Sequence, residues 1–518
     1  MGSEEGEMRL VRTELLDTKS LSRDDSLWVY NGLDTMITYE VLDALLPQLT
    51  PTTLRTYNFS CALQGCILEM NARGVLIDLA RRDQVLSDYR RDVHRLSSQL
   101  NTIIRDGIGW DFEITKNRKN PWPSDAQLQH LFFDIMGLPT QWQRGANGER
   151  RPTVNRGALE KLEHYFYAEP IVRHLYALRE LGKKISFLST SVDPDSRLRT
   201  SFNIAGTTTG RLASSYSDFG TGTNLQNVEN KLRSVFIADP GYKFCNIDLE
   251  QSDARAVGAI HWNLFRDSRY LDACESGDLH TSVARIAFRH LPFTGKLAED
   301  RAIANGHFYR EFNYRDASKR LGHGTNYQGQ PDKMSRATHI PIGDIIRFQN
   351  EYLTAFPAFR LWWQWVEEQI RHVQRLETFL GRQRHFFGHW RDSETVRQAI
   401  AYEPQSVTAD TINRGMLNVW KTNRVHLLLQ VHDSILFQFP EGDEDEIVPA
   451  MVGLVEQTVM LKEGRPFKIP AEAKTGWNWS DDPTDPDSLH KFSGHDPRRR
   501  ERDPTKSYSR FEQLGLTQ

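Results

Sequence analysis

Residues 425–439 read VHLLLQVHDSILFQF. Two apolar runs flank His432 and Asp433, a pattern that predicts a β-hairpin with a carboxylate at its tip. Upstream, residues 243–248 read KFCNID, a short predicted strand that ends on Asp248. Carboxylates held at strand ends sit on rigid elements and suit hard cations. Two of them can bridge two divalent ions about 3.5–4 Å apart and clamp both oxygens of a phosphoryl transfer. Aspartate is also an ordinary turn residue, so the pairing needs support from elsewhere in the chain.

Residues 315–327, RDASKRLGHGTNY, supply a second constellation. Four-residue steps drift by only about 40° on a helix, so Arg315, Lys319, His323 and Tyr327 share one broad face. Two cations, an imidazole and then a ring suit a triphosphate followed by a base. Gly322 and Gly324 each weaken a helix by about 1 kcal/mol but let a flat ring approach the backbone. The plain alternative is a mixed surface helix ending between Gly329 and Pro331.

The remaining composition narrows the class. A chain of 518 residues with 39% hydrophobic and 26% charged positions fits a globular protein with a large core. No apolar run reaches the roughly 18 residues a membrane span needs. The start, MGSEEGEMRL, is acidic and unlike a secretory signal. Cys61, Cys66, Cys245 and Cys274 lack paired CxxC spacing. They predict a reducing compartment and neither a disulfide framework nor a zinc site. The formal net charge of −3 mildly disfavours a polyanionic partner, but the distribution of charge decides more. Residues 371–391 hold Arg371, Arg375, Arg382, Arg384 and Arg391 with His372, His385 and His389. The ordinary reading of such a run is a solvated face.

Helical periodicity covers residues 26–48, then 52–105 with a break at 74–78. It returns near 125–136, over 156–190 and over most of 251–375. Residues 201–227, rich in Gly, Ser, Thr and Asn, read as a linker or as backbone shaped against a ligand. Residues 481–518 predict an extended or disordered polar tail.

CNIDLEQSDAR, RDASKRLGHGTNYQG and QVHDSILF, in that order, resemble the three polymerase motifs of the DNA polymerase I family, family A. TTTGRLASS with TNLQN, GDLHTSVA, FLGRQRHF, RQAIAYEPQSVTAD and GWNW also fall in the family's order, and the similarity runs from about residue 50 to 480. The resemblance implies an α+β right-hand fold, with an antiparallel palm sheet and helical fingers and thumb. Residues 1–50 would be a remnant resembling the end of a 3′→5′ exonuclease domain, and 51–198 the thumb. The palm would be 199–262 and 376–480, the fingers 263–375, and 481–518 the tail.

The implied activity is template-directed DNA synthesis in replication, extending a primer with dNTPs by two-metal-ion nucleotidyl transfer. By motif position, Asp248, Asp433 and the Leu249 carbonyl would hold two Mg²⁺ ions, with Mn²⁺ as a substitute. Gln251, Asp253, His280, Arg315, Lys319, His323 and Tyr327 would bind the nucleotide, and Lys319 would protonate the leaving pyrophosphate. Arg211, Asn224, Gln226, Arg397, Gln405 and His432 would line the primer-template DNA.

Three positions depart from the family. Asp253 stands where it has Glu, His323 where it has Phe or Tyr, and Ser434 where it has a further Glu. The shorter Asp253 implies looser exclusion of ribose. Upstream, Tyr30 and Asp34 match only the last element of the exonuclease pattern, so no proofreading is expected of this chain alone. The exonuclease would be a separate subunit, lost, or part of a longer sequence, and a processivity factor is a further expected partner. The combination suggests a bacteriophage replicase acting in the host cytoplasm. Two rivals remain: a single-subunit RNA polymerase, which shares HDS, and a silent primer-template binding scaffold. Asp253 and TGRLASS weigh against the first. Intact Asp248, Asp433, Arg315 and Lys319 weigh against the second.

Overall fold

The computed structural model describes residues 21–111, 122–145, 148–217, 219–494 and 498. At its centre lies a five-stranded sheet in which every neighbouring pair is antiparallel. In spatial order the strands are His426–Val431, Ser434–Pro440, Tyr242–Leu249, Ala471–Gly476 and His490–Lys491. The middle strand is buried along most of its length, Lys243 included. Helices Pro51–Arg73, Ser393–Lys421 and Glu444–Val455 pack on the sheet and share one core with it. The strand predicted to end on Asp248 runs one residue further, to Leu249, and the hairpin turns at His432 and Asp433 as expected.

A second core lies under the helices between Ser252 and His372 and is rich in aromatic rings, among them Tyr270, Phe348, Tyr352, Phe359 and Trp362. A third joins helices Leu79–Thr102, Arg156–Leu162 and Glu169–Leu188. The predicted break at 74–78 is the strand Val75–Ile77, after which Asp78 caps the next helix by accepting from Arg81 N at 2.9 Å.

The structure departs from the sequence expectation at two further places. The tail expectation fails for residues 481–494. Ser488 and Leu489 are buried, His490–Lys491 forms the edge strand, and Asp485 pairs with Arg81 at 2.8 Å. Polar residues satisfied by the sheet's own backbone and by ion pairs need no apolar periodicity to be ordered. The part from 495 onward, Arg498 apart, lies outside the described residues. The helix of residues 315–327 ends at Asn326, one position before Tyr327. The Gly324 carbonyl accepts from both Tyr327 N and Gly329 N, which closes the last turn.

The first described helix, Arg23–Leu45, buries none of its residues. It carries Tyr30 and Asp34, and its exposed apolar side chains, including Leu27, Trp28, Met36 and Leu42, are interspersed with Asp24, Asp25, Glu40 and Asp43. No helix of the described residues is long and apolar enough to cross a membrane.

Candidate functional site

The central strand and the hairpin bring Asp248 and Asp433 together. The Leu249 N–H donates to the Asp433 carbonyl at 3.1 Å, which locks the hairpin tip against the strand end. Ser252 Oγ donates to Asp433 Oδ2 at 2.9 Å and fixes that carboxylate. Across the ladder, Asp248 pairs with Ser434 on one side and Glu472 on the other. Directly paired residues show their side chains on the same face, so the three form a row. Glu472 is held by Lys491 at 2.5 Å. Arg233, stacked on Trp479 at 4.5 Å, sends its charge toward Asp248.

Desolvation in this concave wall and the negative charge of Asp433 raise the Asp248 carboxyl to about 7, although its tip still reaches water. Two crowded hard-oxygen donors on rigid strand ends are a setting that a divalent cation relieves. Among the described residues no cluster of three or more His, Cys, Asp or Glu side chains forms a metal centre. Asp248, Asp433 and the adjoining Leu249 border the same cavity.

Beside the carboxylates opens a cavity of about 340 Å³. Asp248, Leu249, Gln251, Asp253 and Asp433 line one side, and His280, Lys319 and His323 line the other. Size alone does not select it. A cavity of about 940 Å³ lies between Leu79–Thr102 and Glu169–Leu188, but its lining holds no carboxylate.

Asn313 starts the cationic helix, Tyr314–Asn326, by accepting from Asp316 N at 2.7 Å. Lys319 is exposed and makes no ion pair among the described residues. Arg315 instead donates through Nε to Asp278 at 3.0 Å, and Arg301 donates to the same carboxylate at 2.8 Å. Asp278 is fully buried. Burial alone would raise its carboxyl, but hydrogen bonds from Arg315 and Thr281 outweigh that and hold it far below the usual range. His280 is pushed down to about 4, by burial and then by the charges of Arg315 and Lys319, so it is neutral at pH 7. Gly324 does not offer an open backbone face, because Met334 fills the space where its Cβ would stand.

Asp253 has three neighbours. Thr408, on the long helix Ser393–Lys421, donates to its Oδ1 at 2.9 Å. Arg211 approaches to 3.7 Å. Tyr327 lies close enough for the Asp253 charge, after burial, to raise its phenol, yet its Oη is buried without a hydrogen-bond partner. His323 meets the Tyr327 ring edge-on at 5.2 Å.

The predicted DNA-facing residues divide. Gln405 is half-buried, His432 is exposed, and Arg397 is partly exposed and paired with Glu394 at 2.8 Å. Asn224 and Gln226 spend polar atoms internally. Asn224 Nδ2 donates to Ser214 O at 2.9 Å, and Gln226 Nε2 donates to Gln430 O at 3.1 Å. A Gly-, Ser- and Asn-rich stretch with few ladder bonds needs side chains to satisfy its backbone. Thr408, Asp278, Ser252, Glu472 and Arg233 escaped sequence reasoning. Asp278 and Ser252 stand inside quoted motifs, but no spacing rule connects 408 with 253 or 472 with 248.

The family model for DNA polymerase family A matches residues 85–481. The thermostable DNA polymerase I of Thermus filiformis is 27% identical over 466 residues, covering 85% of this chain and 50% of that protein. DNA polymerase I of Rhizobium leguminosarum is 26% identical over 481 residues, 87% of this chain and 43% of that protein. The chain spans about half the length of the curated relatives it matches. Among solved structures, the POL domain of Pol1 from M. smegmatis, in complex with DNA primer-template and dNTP, matches at a TM-score of 0.63 and 24% identity. That match covers 81% of this chain and 69% of the other. The likeness in fold establishes the right-hand α+β architecture that the motifs implied. With the matched model covering most of its length, the chain belongs to DNA polymerase family A.

Proposed function

We propose that this chain is a template-directed, DNA-dependent DNA polymerase that extends a primer 3′ end with dNTPs in DNA replication. The carrying observation is that Asp248 and Asp433 meet at strand ends and share a cavity with Lys319 and His280. Residues 199–262 and 376–480 serve as palm, 263–375 as fingers and 51–198 as thumb. Two Mg²⁺ ions, replaceable by Mn²⁺, would be held by Asp248, Asp433 and the Leu249 carbonyl. When bound they supply charge neutralisation at the attacking and leaving oxygens. Lys319 and Arg315 neutralise the triphosphate, and Lys319 gives a proton to the leaving pyrophosphate. Neutral His280 hydrogen-bonds the same phosphates without adding charge. Gln251, Asp253, His323 and Tyr327 border the sugar and base. Arg211, Asn224, Gln226, Arg397, Gln405 and His432 adjoin the primer-template.

Free cysteines support a reducing, cytoplasmic setting. The helix Arg23–Leu45, with its exposed Leu27, Trp28 and Met36, is the seat we assign to a separate exonuclease subunit or processivity factor.

Primer extension with dNTPs, with rNTPs and without nucleotide, beside Asp433→Asn, tests the reading. Template-length product with dNTPs that falls at least about a hundredfold in the variant supports it. Efficient extension with rNTPs favours an RNA polymerase or loose ribose exclusion at Asp253. Binding of primer-template without extension favours a scaffold.

A further inference from the structure

Away from the carboxylates, one surface joins positive charge to a bare ring, Phe387, and a half-buried one, Trp390. Residues 371–391 carry five arginines against one acidic residue, Glu377, in a chain of net charge −3. The helix Ala358–His372 leads into the hairpin Arg375–Glu377 and Gln383–His385, then a loop reaches the helix Ser393–Lys421. Leu376 and Phe386 anchor this segment in the second core. The next residue, Phe387, is 95% exposed. Its ring lies nearly parallel to that of His385, with centroids 6.3 Å apart at 16°. Trp390 carries the guanidinium of Arg371 at 4.8 Å and that of Arg391 at 4.6 Å. Arg382 is bound by Asp410. Arg371, Arg384 and Arg391 make no ion pair with a carboxylate among the described residues.

Planar faces beside unneutralised guanidinium groups suit a ligand with exposed rings and regular negative charge. An unpaired nucleic-acid strand has both. A duplex keeps its base faces stacked inside, and an acidic peptide would use the arginines but leave the rings idle. Position selects the strand. The helix Ser393–Lys421 begins beside this loop, and its Thr408 touches Asp253 in the nucleotide cavity. That span is about 22 Å along the helix, the length of about six stacked nucleotides. A primer ends in the cavity, so the unpaired strand that continues past it is the template.

We infer that the segment around Phe387 and Trp390 binds the single-stranded template overhang. The inference rests on the polymerase reading. The test is fluorescence anisotropy on one primer-template duplex carrying 5′ template overhangs of one, four, eight or twelve nucleotides, at fixed salt. The full chain is expected to gain about tenfold in affinity between the short and long overhangs. Phe387→Ala and Trp390→Ala should each erase most of that gain, while Phe387→Tyr retains it. All three should keep the single-nucleotide insertion rate on the one-nucleotide overhang. A wild-type chain that extends primers but shows no overhang gain overturns this inference alone. So does a gain left intact in both alanine variants, or one abolished equally by an acidic peptide competitor and by Phe387→Tyr. A wild-type chain that neither binds nor extends primer-template fails the polymerase reading itself.

Discussion

Lengthening one side chain in the cavity should tighten the choice of sugar. Asp253 is tied to Thr408 at 2.9 Å and neighboured by Arg211 at 3.7 Å, while the buried Tyr327 hydroxyl beside it has no partner. Asp253→Glu adds one methylene, about 1.5 Å of reach. The longer carboxylate can accept from Tyr327 Oη and narrow the space beside it. A buried polar group left without a partner costs about 1–3 kcal/mol, and a methylene in a fitted pocket changes selectivity about 10–200-fold. The low ends of these ranges correspond to about fivefold and about tenfold. The expected result is at least about a tenfold rise in the ratio of kcat/KM for dATP over ATP in single-nucleotide insertion. Tyr327→Phe in the Asp253→Glu background should return part of that gain. Equal discrimination by the parent and Asp253→Glu would refute the reasoning and leave Asp253 outside sugar selection.

Other consequences follow from the same geometry. The Asp248 carboxyl is raised above its ordinary value to about 7, so folding favours its protonated form. Its contribution to stability is full below the unfolded pKa and is lost as pH rises through about 7. In the absence of divalent cations, Asp248→Asn should therefore raise Tm at pH 8 and change it little at pH 4. Manganese binding by the parent, followed by calorimetry, should weaken about tenfold per pH unit below 7 and release a proton. Asp278→Asn removes the buried anchor of Arg315 and Arg301. It should lower Tm and raise KM for dNTP about tenfold or more with a smaller fall in kcat, as steady-state kinetics would read. Gly476→Ala places a Cβ against the Ser488 carbonyl oxygen at the sheet edge. A loss of about 1–3 kcal/mol is expected in urea melts, with faster proteolysis within 481–491.

Local patterns made much of this molecule legible before any coordinates. The apolar residues around Asp248 and Asp433 lie on strands of one sheet, and of the step-of-four series Lys319 and His323 line one cavity while Arg315 turns to Asp278. Periodicity encodes elements, because burial of a strand or helix face repeats along the chain. Hydrogen-bond partners do not repeat. Thr408 meets Asp253, Asp278 gathers Arg301 and Arg315, and Glu472 flanks Asp248 only because distant elements are packed side by side. The same holds for residues 481–491, whose composition reads as solvent-exposed chain. Their order comes from an open sheet edge that accepts one more strand. Sequence determined which elements form and which charges they display. Tertiary packing decided which of those charges are neutralised inside the protein and which stay free for a ligand, since that depends on distances no local pattern contains.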